Sequence, residues 1–130
     1  MLYFSERHFK LWDYNVSHSQ LLLRSLGSAE VGKNIDVVFA GVEFLQLPLT
    51  LRGLKLAQAS AKETARVIGS LTRVGESCYI YSLRSGPRRY YVAAAAFKVL
   101  ENDLDPFESS LESASTAEEG KELGKILVHS

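Results

Sequence analysis

Cysteine is nearly absent from this sequence of 130 residues, and its scarcity excludes two kinds of structural cross-link. Cys78 is the single cysteine, so no intrachain disulfide can form. A structural zinc site would need several histidines beside one thiolate, whereas the sequence has only His8, His18 and His129. This composition indicates a cytoplasmic protein and predicts neither a metal nor a cofactor.

Long apolar runs are also missing. No stretch approaches the roughly 20 apolar residues that a membrane helix requires. The first ten residues, MLYFSERHFK, place charges too early for the apolar region of a secretory signal. The hydrophobic fraction of 46% and the charged fraction of 23% are those of an ordinary soluble globule. We therefore expect a soluble body without a membrane partner.

Net charge is zero, but the charges are unevenly distributed. Residues 1–100 carry thirteen Lys or Arg against seven acids, and residues 101–130 carry eight acids against two lysines. The first range is predicted as a β-rich domain and the second as an acidic, partly mobile segment. A helix predicted over residues 116–129, capped by Thr116, is expected either to dock on the domain or to bind a partner. The acidic segment is one candidate partner for the basic body.

The stretch 34–60 is the most apolar part of the chain and is predicted to organise the fold as two long strands. Ile35 and Val37 point to one face of an extended chain and Val38 to the other, so both faces should be covered. Gly41 predicts a kink. A tight connection at residues 48–53 is expected to join the two strands.

Other segments supply partners for this ribbon. Residues 8–16 and 20–26 form a predicted hairpin, and residues 78–83 form another with a long strand at 90–100. Ser60 and Glu63 have capping-box spacing, which favours a short helix ended by Gly69 over a strand at 67–74. We predict a mainly β (β-rich α+β) fold of about six largely antiparallel strands. These form a sandwich or a strongly curled sheet with one or two short helices.

Two carboxylates interrupt the apolar ribbon. Asp36 and Glu43 would be costly to bury without a partner, so both are predicted at a rim facing water. The alternative is a cleft in which either carboxylate binds or catalyses.

Three arginines flank the Ser85-Gly86-Pro87 turn. Arg84, Arg88 and Arg89 could grip a phosphate or carboxylate, and Tyr90 beside them could stack on a base. A solvated hairpin tip is the simpler interpretation. No nucleic-acid-binding motif accompanies these residues, so nucleic acid is disfavoured as a partner.

Trp12 and Tyr14 are the other predicted binding residues, because aromatic side chains are favoured at interfaces. No catalytic residue is predicted: the run Ser17-His18-Ser19 lacks a nucleophile elbow, and Cys78 is predicted to be an inert thiol. The preferred hypothesis is a non-enzymatic interaction module that binds a protein partner or itself as a homodimer. Alternatives are a small enzyme with a carboxylate–arginine site between sheet and tail, or an anion binder using residues 84–89.

Overall fold

A computed structural model describes residues 1–69, 78–111 and 124–130. Within these ranges the chain forms nine strands and one helix. They are β1 Tyr3–Asn15, β2 Gln20–Ser25, β3 Asn34–Ala40, β4 Phe44–Gln46, β5 Thr50–Gln58, α1 Ala61–Ile68, β6 Tyr79–Ser85, β7 Arg88–Ala94, β8 Ala96–Asn102 and β9 Lys125–His129. Every pairing between strands is antiparallel. The predicted mainly β class is confirmed, with more strands than expected.

The strands form one strongly curled sheet. Their order is β4-β7-β6-β5-β1-β2-β3-β8-β9. Only residues 41–43 separate β3 from β4, and only Ala95 separates β7 from β8, so each pair is one bent ribbon. The first ribbon lies antiparallel to the second along its length, with Phe39 opposite Phe97 and Phe44 opposite Ala93. Of the two predicted architectures, the strongly curled sheet describes the structure.

Both ribbons bend at small residues. Gly41 has φ +65°, and a Cβ built on it would lie 2.9 Å from the Cβ of Ala95, closer than side chains can pack. The predicted kink at Gly41 is therefore confirmed, and the small side chain of Ala95 lets the two ribbons approach closely. The prediction of a single long strand at 90–100 is wrong, because the chain bends at Ala95. Before the bend β7 pairs with β4 and β6, and after it β8 pairs with β3 and β9.

The interior of the curl is filled by alternate residues of the strands. Phe39 and Phe97 both pack on Tyr81, with ring centroids 5.5 Å apart in each case. The interior cluster contains Phe9, Leu21, Leu23, Ile35, Val37, Phe39, Val42, Leu51, Leu54, Leu56, Tyr81, Leu83, Val92, Ala94, Phe97 and Val99. Rings from β3, β6 and β8 meet there, which shows how tightly the sheet is curved.

Part of the outer face is covered as well. An exterior cluster consists of Leu22, Val38, Leu100 and Leu111, with Trp12 packed against it. Residues 34–39 of β3 are all buried. The prediction that both faces of this strand exclude water is confirmed. Leu111 belongs to the acidic segment, so at this point that segment is docked on the sheet.

The predicted connection at residues 48–53 is wrong in its second half. β5 begins at Thr50, so Gly53 lies within that strand, with φ +80°, opposite an irregularity in β1 between Ser5 and His8. A positive φ serves a bulge as well as a turn, which is why the glycine was misassigned. β5 pairs with β1 and β6, not with the β3–β4 ribbon.

The helical predictions had different outcomes. Helix α1 is confirmed: the Ser60 side chain accepts from the backbone of Glu63 in a complete capping box, and Gly69 ends the helix. The C-terminal helix predicted over residues 116–129 is wrong at its end, because Lys125–His129 is strand β9, paired with β8. Ile126 and Val128 are β-branched, which favours a strand. Residues 116–123 lie outside the described ranges, as do residues 70–74.

No helix in the described ranges is long and apolar enough to cross a membrane.

Candidate functional site: a row of cations across the sheet

Three cationic side chains form a straight row across neighbouring strands. Lys55 of β5 lies directly opposite Arg84 of β6, and Arg84 lies directly opposite Arg89 of β7. All three are exposed. We call Lys55, Arg84 and Arg89 the cationic row. Strands lie about 4.8 Å apart, so the row spans roughly 10 Å. Like charges directly opposite each other destabilise a sheet, so the fold alone gains nothing from this arrangement.

Both ends of the row have partners, whereas its centre has none among the residues that the structure describes. The Lys55 ammonium lies 5.8 Å from the ring centroid of Phe4, its neighbour on β1. The Arg89 guanidinium lies 3.4 Å from the Glu63 carboxylate. Arg84 makes no ion pair or side-chain hydrogen bond with any residue of the described ranges. The unmatched positive charge is therefore centred on Arg84.

The β6–β7 hairpin that carries the arginines is held against β5. The Ser85 hydroxyl accepts a hydrogen bond from the Arg52 backbone N–H at 2.9 Å and donates to the Arg52 carbonyl at 3.1 Å. This double contact fixes the tip of the hairpin. Arg52 and Arg88 are exposed as well. Because Arg88 adjoins Arg89 on β7, its side chain points away from the face that carries the row.

A shallow cleft of about 350 Å³ lies beside the row. Its lining includes Phe4, Lys55, Arg52 and Arg84, and the only carboxylate among the lining residues is Glu6. The cleft therefore carries an excess of positive charge. Gly53 belongs to the lining of the cleft, and because glycine has no side chain it leaves space there.

A polar network fixes the Arg89 end of the row to helix α1. The Tyr91 hydroxyl donates to the Glu63 carboxylate at 2.6 Å and accepts from the Arg66 guanidinium at 2.7 Å. The hydrogen bond from Tyr91, followed by the backbone bond from Ser60, lowers the pKa of Glu63 to about 2. Burial raises the pKa of Tyr91. Glu63 thus stays ionised beside Arg89 while the phenol keeps its proton.

The predicted binding residues do not converge. The structure brings Arg84 and Arg89 together on one face, whereas Arg88 pairs with Ser85 on the opposite face. Tyr90 packs against the interior cluster, so its ring does not lie beside the arginines. Tyr14 lies opposite the interior residue Leu21, whereas Trp12 packs on the exterior cluster.

Trp12 and Tyr14, two positions apart, would share one face of a regular strand. The pairing of β1 with β2 shifts between Leu11 and Asp13, which leaves Trp12 as an extra residue in the strand. A bulge of this kind reverses the facing of the residues that follow it. The two aromatic side chains therefore belong to different surfaces.

The expectation that Asp36 faces water is wrong. Its side chain is fully buried and accepts two hydrogen bonds from the Arg24 guanidinium, at 2.7 and 2.9 Å. The Asn102 amide donates a third at 2.8 Å. Arg24 comes from the strand paired with β3 and lies directly opposite Asp36. With both carboxylate oxygens occupied, Asp36 does not line an open cleft. Glu43, by contrast, is exposed as predicted.

Sequence reasoning missed Lys55 and Arg24. Lys55 alternates with Leu54 and Leu56 in the sequence, but its place in the row depends on the pairing of β5 with β6. Arg24 lies in the apolar run from Leu21 to Leu26. A cation in such a run is a signal for a buried partner, because an unpaired buried charge is prohibitively costly.

The remaining chemistry of the described residues is sparse. Burial, and then the nearby Glu43 carboxylate, raises the pKa of the Cys78 thiol to about 11, which agrees with its prediction as an inert thiol. Within the described ranges no three His, Cys, Asp or Glu side chains are grouped to hold a metal ion.

Comparison of the chain with protein-family models, with curated proteins and with solved structures finds no match.

Proposed function

We propose that this chain is a non-enzymatic binding module whose cationic row holds an acidic segment of a protein. The observation that carries the proposal is the register of Lys55, Arg84 and Arg89, which aligns three cations and leaves the central one without a described partner. Aligned cations cost stability in the unbound protein, and a bound anion turns that repulsion into attraction.

The dimensions of the row suit a polypeptide. An extended segment with acids at alternate residues spaces its carboxylates about 7 Å apart on one face. Two such carboxylates fit within the roughly 10 Å that the three strands cover. Arginine can bind each carboxylate through two parallel N–H donors, which favours Arg84 and Arg89 as the main contacts.

The surroundings of the row favour protein over nucleic acid. Binding of single-stranded nucleic acid relies on aromatic side chains that stack on the bases. Tyr90 packs against the interior cluster, and Tyr91 is buried and hydrogen-bonded to Glu63. Phe4 is half exposed at one end of the row, which is too little for a stacking platform.

The partner can be another protein or a second copy of this chain. Residues 101–122 contain eight acids and one lysine, so one copy carries charge complementary to the row of another. A homodimer formed in this way agrees with the self-association that the sequence led us to expect. The single, inert cysteine supports a cytoplasmic setting for the interaction.

The test is binding of a fluorescent deca-glutamate peptide, measured by anisotropy. The variant Lys55→Gln/Arg84→Gln/Arg89→Gln should bind about tenfold more weakly, since three charged contacts of about 0.5 kcal/mol each sum to about 1.5 kcal/mol. The matched control Lys62→Gln/Lys98→Gln/Lys125→Gln removes the same total charge from other positions. It should change the affinity by less than about threefold, as expected for long-range charge alone.

Two outcomes would refute the proposal. Equal losses in both triple variants would show that net charge, and not the row, attracts the peptide. Tighter, row-dependent binding of a single-stranded oligonucleotide of equal charge would identify nucleic acid as the partner. Sedimentation of the unlabelled protein distinguishes a second copy of this chain from another protein as the partner. Self-association through the row should disappear in the row variant only.

A further inference from the structure

A second recess lies on the outer face of β1 and β2, apart from the cationic row. Its volume is about 320 Å³, at the lower end of the roughly 300–1,000 Å³ typical of small-molecule sites. Trp12, Leu26 and Val31 supply its apolar surface, and Arg7, His8 and Lys10 supply its polar rim. We call this recess the Trp12 groove.

The apolar part of the groove is preformed and accessible. The Arg24 guanidinium lies 5.5 Å from the Trp12 ring centroid, and the indole N–H donates to the Pro106 carbonyl at 3.2 Å. These contacts hold the ring in one orientation. Leu26 and Val31 are 46% and 53% exposed, so their apolar surface is available to a ligand.

The charges around the groove are all of one sign. Arg24 is neutralised by Asp36, but the Arg7 guanidinium donates only to uncharged oxygens of Ser25, Leu26 and Lys33. Its positive charge therefore has no carboxylate partner within the described residues. Lys10, exposed and directly opposite Arg24, likewise makes no ion pair with a described acid. None of the carboxylates in the described ranges lines the groove.

We infer that the Trp12 groove binds a small apolar anion, a compound with a hydrocarbon body and one carboxylate. The hydrocarbon body packs on Trp12, Leu26 and Val31, where it removes exposed apolar surface from water. The carboxylate lies toward Lys10 and Arg7, where it meets positive charge that the fold leaves uncompensated. A neutral compound gains only the burial of apolar surface, and a cationic compound loses the attraction to Lys10 and Arg7.

The sole tryptophan of the chain makes the test direct, because intrinsic tryptophan fluorescence reports on this groove alone. Octanoate should shift the emission of Trp12 saturably. Octanol, which has the same chain length without charge, should bind about five- to tenfold more weakly, and octylammonium more weakly still. Equal affinity for octanoate and octanol, or no saturable response to octanoate, would overturn the inference.

Two exposed positions separate the apolar and charged contributions. Lys10→Gln should weaken octanoate about two- to fivefold and leave octanol unchanged, whereas Val31→Ser should weaken both. Lys62→Gln removes a lysine on α1 and serves as the control, so it should affect neither compound. Thermal melts of all three variants verify that each is folded. A loss of octanoate binding in Lys62→Gln equal to that in Lys10→Gln would exclude a local role for Lys10.

Discussion

The guanidinium of Arg24 and the carboxylate of Asp36 face each other in two parallel hydrogen bonds, with neither side chain exposed to water. Arg24 also donates to the Glu108 carbonyl at 2.7 Å, and Asn102 donates to Asp36. The ion pair therefore joins three neighbouring strands to the acidic segment that crosses them. Here the outer face of the sheet is held by charge as well as by apolar contact.

Breaking this ion pair on one side should be severely destabilising. Asp36→Asn leaves the buried Arg24 without a counter-charge and is expected to lower the free energy of unfolding by about 3–5 kcal/mol. The double variant Arg24→Met/Asp36→Leu removes both charges and should recover most of that loss. Urea denaturation of the wild-type protein and these two variants measures both effects. A double variant no more stable than Asp36→Asn would contradict the assignment.

Relief of repulsion in the cationic row should stabilise the unbound protein. Arg84→Gln removes the central charge, and we expect it to raise the free energy of unfolding by about 0.2–1 kcal/mol while weakening peptide binding. The gain should shrink in 1 M NaCl, where exposed charges are screened. Denaturation at low and high salt provides the measurement, with Lys62→Gln as the control. A destabilised Arg84→Gln protein would show that Arg84 has a structural role.

The low pKa of Glu63 predicts a stability change in acid. Its pKa is about 2 in the folded protein and 4.5 without the Tyr91 and Ser60 hydrogen bonds, so folding favours the ionised form. This contribution is fully present above pH 4.5 and is lost as the pH falls from 4.5 toward 2. Glu63→Gln should flatten the pH dependence of stability in that window. Glu30→Gln, at an exposed loop position, should leave it unchanged; a similar flattening there would argue against the network.

The bend at Gly41 provides a matched pair of glycine substitutions. Gly41→Ala faces both a positive φ and a contact of 2.9 Å with Ala95, whereas Gly86→Ala faces a positive φ with open space around it. Gly86→Ala should cost about 1–2 kcal/mol for the backbone alone. Gly41→Ala should cost about 1–3 kcal/mol more because of overpacking. Equal losses, measured by thermal denaturation, would show that the two ribbons do not depend on close contact.

Local chemistry made several elements predictable from the sequence. The spacing of Ser60 and Glu63 identified helix α1, because a capping box is a contact within one turn. The turn at Gly86 likewise identified the hairpin that brings Arg84 opposite Arg89. The apolar run at β3 identified a strand covered on both faces, because its alternation leaves no polar side.

Contacts between distant parts of the chain were not predictable in this way. A glycine suits a bulge as well as a turn, and only the neighbouring strand distinguishes the two. Gly53 was therefore assigned to a turn. Asp36 was placed in water since its partner Arg24 is set by strand pairing and not by sequence distance. Lys55 joined the candidate site only through the register of β5 with β6. The residues of the site can be read from the sequence, but their alignment is determined by the pairing of the strands.

The meeting of the two bent ribbons has a consequence for how the protein assembles. Phe39 pairs with Phe97, so closing the sheet requires segments almost sixty positions apart to find each other. Such high contact order slows the search, and we expect folding in milliseconds to seconds, where local helical folds need microseconds. Stopped-flow refolding followed by Trp12 fluorescence would measure it. During synthesis, the edge of β3 that pairs with β8 has no hydrogen-bonding strand until β8 leaves the ribosome. Nascent chains are most exposed to aggregation in that interval.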